Sequence, residues 1–169
     1  MTRREVAGQI VEEVARAGIK LVASLPDTWV AELIESFDRD RRFIHVPVNR
    51  EESAIGLCSG AFFSGVGALA LMGASGFMAS IYALTKINYT YQIPLLVFIT
   101  LRGSLGDHAK YHVSNGLYLE PLMQSISMPY VVVAASDKVS LISKAYVHSR
   151  VLSRPVVVAF TRSVLRGES

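Results

Sequence analysis

Pro94-Leu95-Leu96-Val97-Phe98-Ile99-Thr100 is an apolar run that opens on a proline and closes on a threonine. It does not alternate between polar and apolar residues, and it is too short for a helix. It therefore predicts a strand buried on both faces, which belongs inside a parallel sheet covered by helices on each side. Outward from it the chain repeats the same alternation. Residues 68–72 read as a second buried strand, 73–76 as a tight loop and 77–89 as a helix. Residues 43–46 form a short strand before Pro47, and 20–25 another before the turn Pro26-Asp27-Thr28. Val6, Ile10, Val11, Val14 and Ala15 make a helical stripe that ends near Gly18. Val30, Leu33, Ile34 and Phe37 make the next one. On the C-terminal side lie a polar loop (102–115), a helix (117–127), a strand (130–133), a helix (138–149) and a last strand (155–160). The sum is an α/β fold: one three-layer domain over residues 1–169, with a mostly parallel six-stranded sheet between helices. In such sheets ligands bind beyond the carboxyl ends of the strands. That puts three loops on one functional edge: 26–28, 73–76 and 102–115.

Composition narrows the class. Half of the 169 residues are hydrophobic (51%) and only 18% are charged, which points to buried strands or a large subunit interface. The net charge of +3 is scattered in small groups such as Arg3-Arg4 and Arg39 to Arg42, with no basic stripe, so nucleic acid is not an expected partner. The single cysteine, Cys58, forbids an internal disulfide and lies in an apolar run, as a buried thiol would. Lys86 is the one charged residue between Glu52 and Arg102, a pattern that can mark membrane spans. Six glycines and five serines between Ser53 and Thr85 break that stretch into short blocks, which suits a buried α/β core better. The charged, amphipathic N-terminus is unlike a signal peptide, so a cytoplasmic location is the expectation.

Chemistry concentrates in two segments. Asn49 and Glu52 have the spacing of a capping box, and both Glu51 and Glu52 sit where a helix dipole favours negative charge. A well-capped helix is one reading of the pair. If Glu52 is the cap partner, however, Glu51 remains without a structural reason. The second segment, residues 102–116, carries His108, Lys110 and His112. These are candidates for donating to a substrate carboxylate, relaying protons or supplying positive charge, or else they are parts of a polar surface loop. No third ligand lies near the two histidines, which argues against zinc. Asp27 and Thr28 can likewise cap the following helix.

Val46-Pro47-Val48-Asn49-Arg50-Glu51-Glu52, followed by Ala54 and Gly60, resembles the glutamate motif of thiamine diphosphate-dependent decarboxylases. In that motif a catalytic glutamate opens a helix nine residues before a glycine, as Glu51 stands before Gly60. Tyr91-Gln92-Ile93-Pro94-Leu95-Leu96 and Arg102-Gly103 extend the likeness to the alpha subunit of sulfopyruvate decarboxylase and to phosphonopyruvate decarboxylase. The likeness runs from about Gly18 to Phe160. It implies the pyrimidine-binding domain of such an enzyme. Glu51 would hydrogen-bond the ring nitrogen N1′ of the cofactor, with Ser75 and Gly76 beside it. His108 and His112 would lie near the reacting carbon. Asp27, Thr28, Ser75 and Lys110 would face a small 2-oxo acid.

One departure bears on the substrate. Relatives often read Gln-Asn-Ser-Gly where this chain reads Gly73-Ala74-Ser75-Gly76. What the chain lacks is as informative. The family holds the diphosphate and Mg²⁺ through a Gly-Asp-Gly motif in a second domain. The one Gly-Asp here, Gly106-Asp107-His108, has the wrong third residue. The resemblance thus implies a separate diphosphate-binding (beta) subunit, in a hetero-oligomer with at least two copies of each chain. Action on another 2-oxo acid, carboligation, and a non-catalytic scaffold or regulatory role remain as alternatives. An unrelated nucleotide-binding domain fits less well, because no phosphate-cradling glycine fingerprint is present.

Overall fold

Six strands form one parallel sheet in the computed structural model, which describes residues 1–105 and 107–168. They are Ile19–Ser24 (β1), Ile44–Pro47 (β2), Gly67–Met72 (β3), Leu95–Thr100 (β4), Tyr130–Val133 (β5) and Pro155–Phe160 (β6). Their order across the sheet is β2-β1-β3-β4-β6-β5, and every neighbouring pair is parallel. Successive strand residues point to opposite faces, so the sheet feeds two cores. Leu69, Leu71, Leu96, Phe98, Val158 and Phe160 pack into one of them. This face is covered by Arg3–Arg16 (α1), Ala31–Arg39 (α2), Leu141–Leu152 (α7) and Arg162–Arg166 (α8). Phe98 meets Phe160 edge to face at 4.9 Å.

The opposite face is built from smaller residues: Ala23, Ala68, Ala70 and Ala159, with Met72, Val97 and Ile99. Against it pack Glu51–Phe63 (α3), Ala74–Ala79 (α4) and Val113–Ser125 (α6). Small strand residues let α3 lie close to the sheet, and Cys58 is buried in that contact. Burial pushes the Cys58 thiol up to about 12, against a smaller opposing effect of the Ala23 backbone. No helix among the described residues is long and apolar enough to cross a membrane.

Three local expectations are corrected. Residues 73–76 are not a loop, because α4 starts at Ala74 with Gly73 as its N-cap. The Phe77 amide bonds the Gly73 carbonyl at 3.0 Å, and the orphan Ala74 amide finds Thr100 Oγ1 on β4 at 3.3 Å. The expected helix over 77–89 is three pieces: α4, Ile81–Ala83 (α5) and a π-helical stretch, Leu84–Tyr89. The Ser80 hydroxyl donates to the Gly76 carbonyl, and Asn88 is held by Ser59 and the Ile93 carbonyl. The Ser80 hydroxyl thus shares the Gly76 carbonyl with the Ser80 amide, a back-bond of the kind that bends helices. Finally, α6 begins four residues early, preceded by a 3₁₀ turn at Lys110–His112.

The capping box expected at Asn49 and Glu52 is also absent. Arg50 is the N-cap residue of α3, without a side-chain cap bond, and it pairs with Glu52 at 3.3 Å instead. The box that does form joins Thr2 and Glu5 at the start of α1.

Candidate functional site

The chain runs from β1 to β2 on one side of the sheet and then to β3 on the other. The crevice between β1 and β3 is thus a topological switch point, where ligands of open α/β sheets bind. A cavity of about 390 Å³ opens there. The loop after β1 contributes Leu25, Pro26, Asp27 and Thr28. The start of α3 contributes Glu51, and the start of α4 contributes Gly73, Ala74, Ser75 and Gly76. The segment after β4 brings Arg102, Tyr111 and His112.

One wall is a connected network. Arg102 is buried (8% exposed), and its guanidinium is engaged on every side. Nη2 donates to both oxygens of Asp27 at 2.6 and 2.7 Å. Nη1 meets His112 Nε2 at 2.7 Å, and Nε donates to Thr100 Oγ1 at 3.2 Å. The plane stacks over Trp29, 4.3 Å from the ring centroid. Because a guanidinium can only donate, His112 Nε2 must accept. The imidazole proton therefore sits on Nδ1, which donates to Asp107 Oδ2 at 2.8 Å. Asp107 also accepts from the amides of Gly103 (3.0 Å) and Ala109 (3.1 Å). Burial acts to raise the Asp107 carboxyl, but those two amides and His112 outweigh it and hold it below the usual carboxylate range. Asp27 takes one more bond, from the Trp29 amide at 2.8 Å.

The other wall is sparse. Glu51 leans over Gly76 so closely that a Cβ at position 76 would overlap its carboxyl group. Arg50 turns away to Glu52, and among the described residues nothing hydrogen-bonds the Glu51 carboxylate. Glu52, by contrast, is held below its ordinary range by Arg50. A Cβ at Gly73 would come within 2.6 Å of Asp27 Oδ2. Ser75 donates to Asn115 Oδ1 at 3.2 Å, and Asn115 is buried with its Nδ2 unpartnered.

Asp27, Thr28, Glu51, Ser75, Gly76 and His112 thus share one cavity. His108 and Lys110 do not join them: both are exposed and neither lines the cavity. Both ring nitrogens of His112 are committed within the chain, so it presents no free N–H to a ligand in this arrangement. Four contributors escaped the sequence reading: Arg102, Asp107, Trp29 and Asn115. Arg102 stood in a quoted motif without a role. Asp107 lies five residues before His112 and two before Ala109, a spacing that suits an Asx turn. No group of three or more His, Cys, Asp or Glu side chains that could hold a metal ion occurs among the described residues.

No family model matches the chain. Curated relatives do. The sulfopyruvate decarboxylase subunit alpha of Methanocaldococcus jannaschii is 30% identical over 145 residues, covering 85% of this chain and 86% of that protein. The subunit of the same name from Methanococcus maripaludis is 30% identical over 121 residues, 72% of each chain. The sulfopyruvate decarboxylase of Methanosarcina acetivorans is 24% identical over 92% of this chain, which spans 40% of its length. Among solved structures, the 2-oxoglutarate:ferredoxin oxidoreductase of Magnetococcus marinus superposes with a TM-score of 0.69 at 15% identity. The match takes in 98% of this chain and 30% of that one, and it shows a shared fold.

Proposed function

The chain belongs to the family of sulfopyruvate decarboxylase alpha subunits, and from that premise we propose that it is the pyrimidine-binding subunit of a two-chain thiamine diphosphate-dependent 2-oxo acid decarboxylase. The observation that carries this reading is Glu51. A carboxylate at a helix start, facing a cavity and unbonded among the described residues, is poised for a partner that arrives with a ligand. Gly76 keeps the space it needs. The cradle fits an aminopyrimidine, which offers a ring nitrogen for Glu51 to bond.

When bound, thiamine diphosphate supplies the electron sink for the carboxylate lost from a 2-oxo acid. The chain's own residues do the rest of what is assigned here. Glu51 would hold the proton that faces the pyrimidine ring nitrogen. Thr28 and Ser75 offer hydroxyls, and Asn115 orients that of Ser75. His112 is a positioning residue: it fixes Arg102, which in turn fixes Asp27. His108 and Lys110, exposed on the same segment, are left to meet the companion chain.

The diphosphate and Mg²⁺ are assigned to a beta subunit, since the described residues offer no acidic cluster for a metal. The Methanosarcina relative supports a second part, because this chain matches less than half of it. Formal charge points the same way. The cavity holds two carboxylates, Glu51 and Asp27, against one guanidinium, Arg102. An anionic substrate therefore needs positive charge from the other side of the interface. A hetero-oligomer with two copies of each chain is the smallest assembly proposed.

A second reading, the same chemistry on a different 2-oxo acid, is favoured by Gly73. A side chain there would strike Asp27, so this site cannot carry the polar residue common in relatives while Asp27 pairs with Arg102. The test is reconstitution. This chain is co-expressed with its companion and supplied with thiamine diphosphate, Mg²⁺ and a panel of 2-oxo acids. Carbon dioxide release only in the mixture is expected. A tight complex with no turnover on any 2-oxo acid would return the chain to a scaffold.

A further inference from the structure

Trp29 carries two guanidinium groups over its ring, Arg102 at 4.3 Å from the centroid and Arg162 at 5.9 Å. Arg102 is spent on the catalytic wall. Arg162 is not. Its Nε is buried without a hydrogen-bond partner, and no carboxylate pairs with it among the described residues. With Trp29 it lines a second cavity of about 470 Å³, beyond the carboxyl end of β6. Thr161 and Ser163 add hydroxyls that lie 3.0 Å apart, and Arg166 adds a second guanidinium.

Two acids, Asp107 and Glu168, share the lining and balance the two arginines in formal charge, but neither is tightly paired with them. Asp107 reaches the cavity, but its oxygens are taken by the Gly103 and Ala109 amides and by His112. Glu168 stands 3.9 Å from Arg166, at the outer limit of an ion pair and well exposed. Two forked cations and two hydroxyls in a concave site of this size suit a tetrahedral oxyanion.

We propose that this second cavity binds a small acid bearing a phosphate- or sulfonate-type oxyanion, apart from the reacting atoms, and that Trp29 couples it to the catalytic cavity. An anion on Arg162 draws that guanidinium from the indole. The indole also stacks on Arg102 and edges His112 at 5.9 Å. Whatever moves the ring is felt by these two groups of the catalytic wall, and through Arg102 by Asp27. The inference does not depend on the role of Glu51.

The chain contains one tryptophan, so its fluorescence reports on this ring alone. Inorganic phosphate and sulfate are titrated into the purified full chain, with chloride at matched ionic strength as control. Calorimetry repeats the titration on the complex with the companion chain. The expected result is a saturable change with phosphate or sulfate and none with chloride. Arg162→Gln and Arg166→Gln should each weaken binding by about tenfold or more. Arg166→Gln does not touch Trp29, so it separates lost binding from a perturbed reporter. Glu51→Gln should bind as the parent does, which separates this cavity from the catalytic one. A response equal to that of chloride, or affinities unchanged in both arginine variants, overturns the proposal.

Discussion

Asp27 and Glu51 line the same cavity, yet the fold treats the two carboxylates in opposite ways. Asp27 is held by two bonds from Arg102 and one from a backbone amide, in a network whose far end is Asp107. Glu51 lies over a glycine, Gly76, and accepts no hydrogen bond among the described residues. A buried charge that is fully paired has a structural reason to exist. A carboxylate left unbonded over a cavity has only the helix dipole in its favour, and it is this difference that the proposed role of Glu51 rests on. The contrast is between a wall that positions and a residue proposed to act.

The largest effect should come from the unbonded acid. Glu51→Gln in the reconstituted complex is expected to lower turnover by about 10² to 10⁴ while moving the stability of the chain by no more than about 0.5 kcal/mol. Turnover near the parent value would erase the contrast. The paired wall should behave in the reverse sense. Arg102→Met leaves the partly buried Asp27 without its partner, and chemical denaturation should show a loss of about 2–3 kcal/mol. The double variant Arg102→Met/Asp27→Leu should recover most of that loss. A double variant as unstable as the single one would mean the pair is not the reason.

Gly76→Ala comes next. Helix propensity by itself would favour alanine by up to about 1 kcal/mol. The Glu51 carboxyl, the end of a flexible side chain, should swing aside at little cost, so the variant should be as stable as the parent or slightly more so, with turnover reduced as Glu51 is displaced. Thermal melts and assays on one preparation read both. The smallest effect is confined to acid. The folded Asp107 carboxyl titrates below its unfolded value, so the stability it contributes is complete above a pH of about 4 and is lost as pH falls through the lower folded value. The stability gap between the parent and Asp107→Asn should therefore narrow in that acid window. A gap that stays constant down to the acid limit would remove Asp107 from the account.

Legibility in the sequence followed the range of the forces. The strands at Tyr130–Val133 and Pro155–Phe160 were read to the residue, because a short apolar run between turn signals has one reading. The segment 73–76 was misread because its two glycines look like turn punctuation. Here both serve side chains from elsewhere, Asp27 and Glu51. The start of α6 was set too late because His112 and Asn115 look like loop residues. They are buried by contacts to Arg102 and Ser75. The Arg102–Asp27 pair joins residues 75 apart, and only the β1–β3–β4 adjacency brings them together. Periodicity carries no record of such a contact. The place of Glu51 at a helix start was legible through its motif, whereas the wall opposite it was not.

Gly76 has one further consequence. A Cβ at position 76 and the present place of the Glu51 carboxyl would occupy the same volume. The bare backbone there is what lets the acid rest over the cavity. A single methyl group at 76 would act as a wedge that turns the carboxyl to another rotamer, and so offers a way to move the acid without altering its charge.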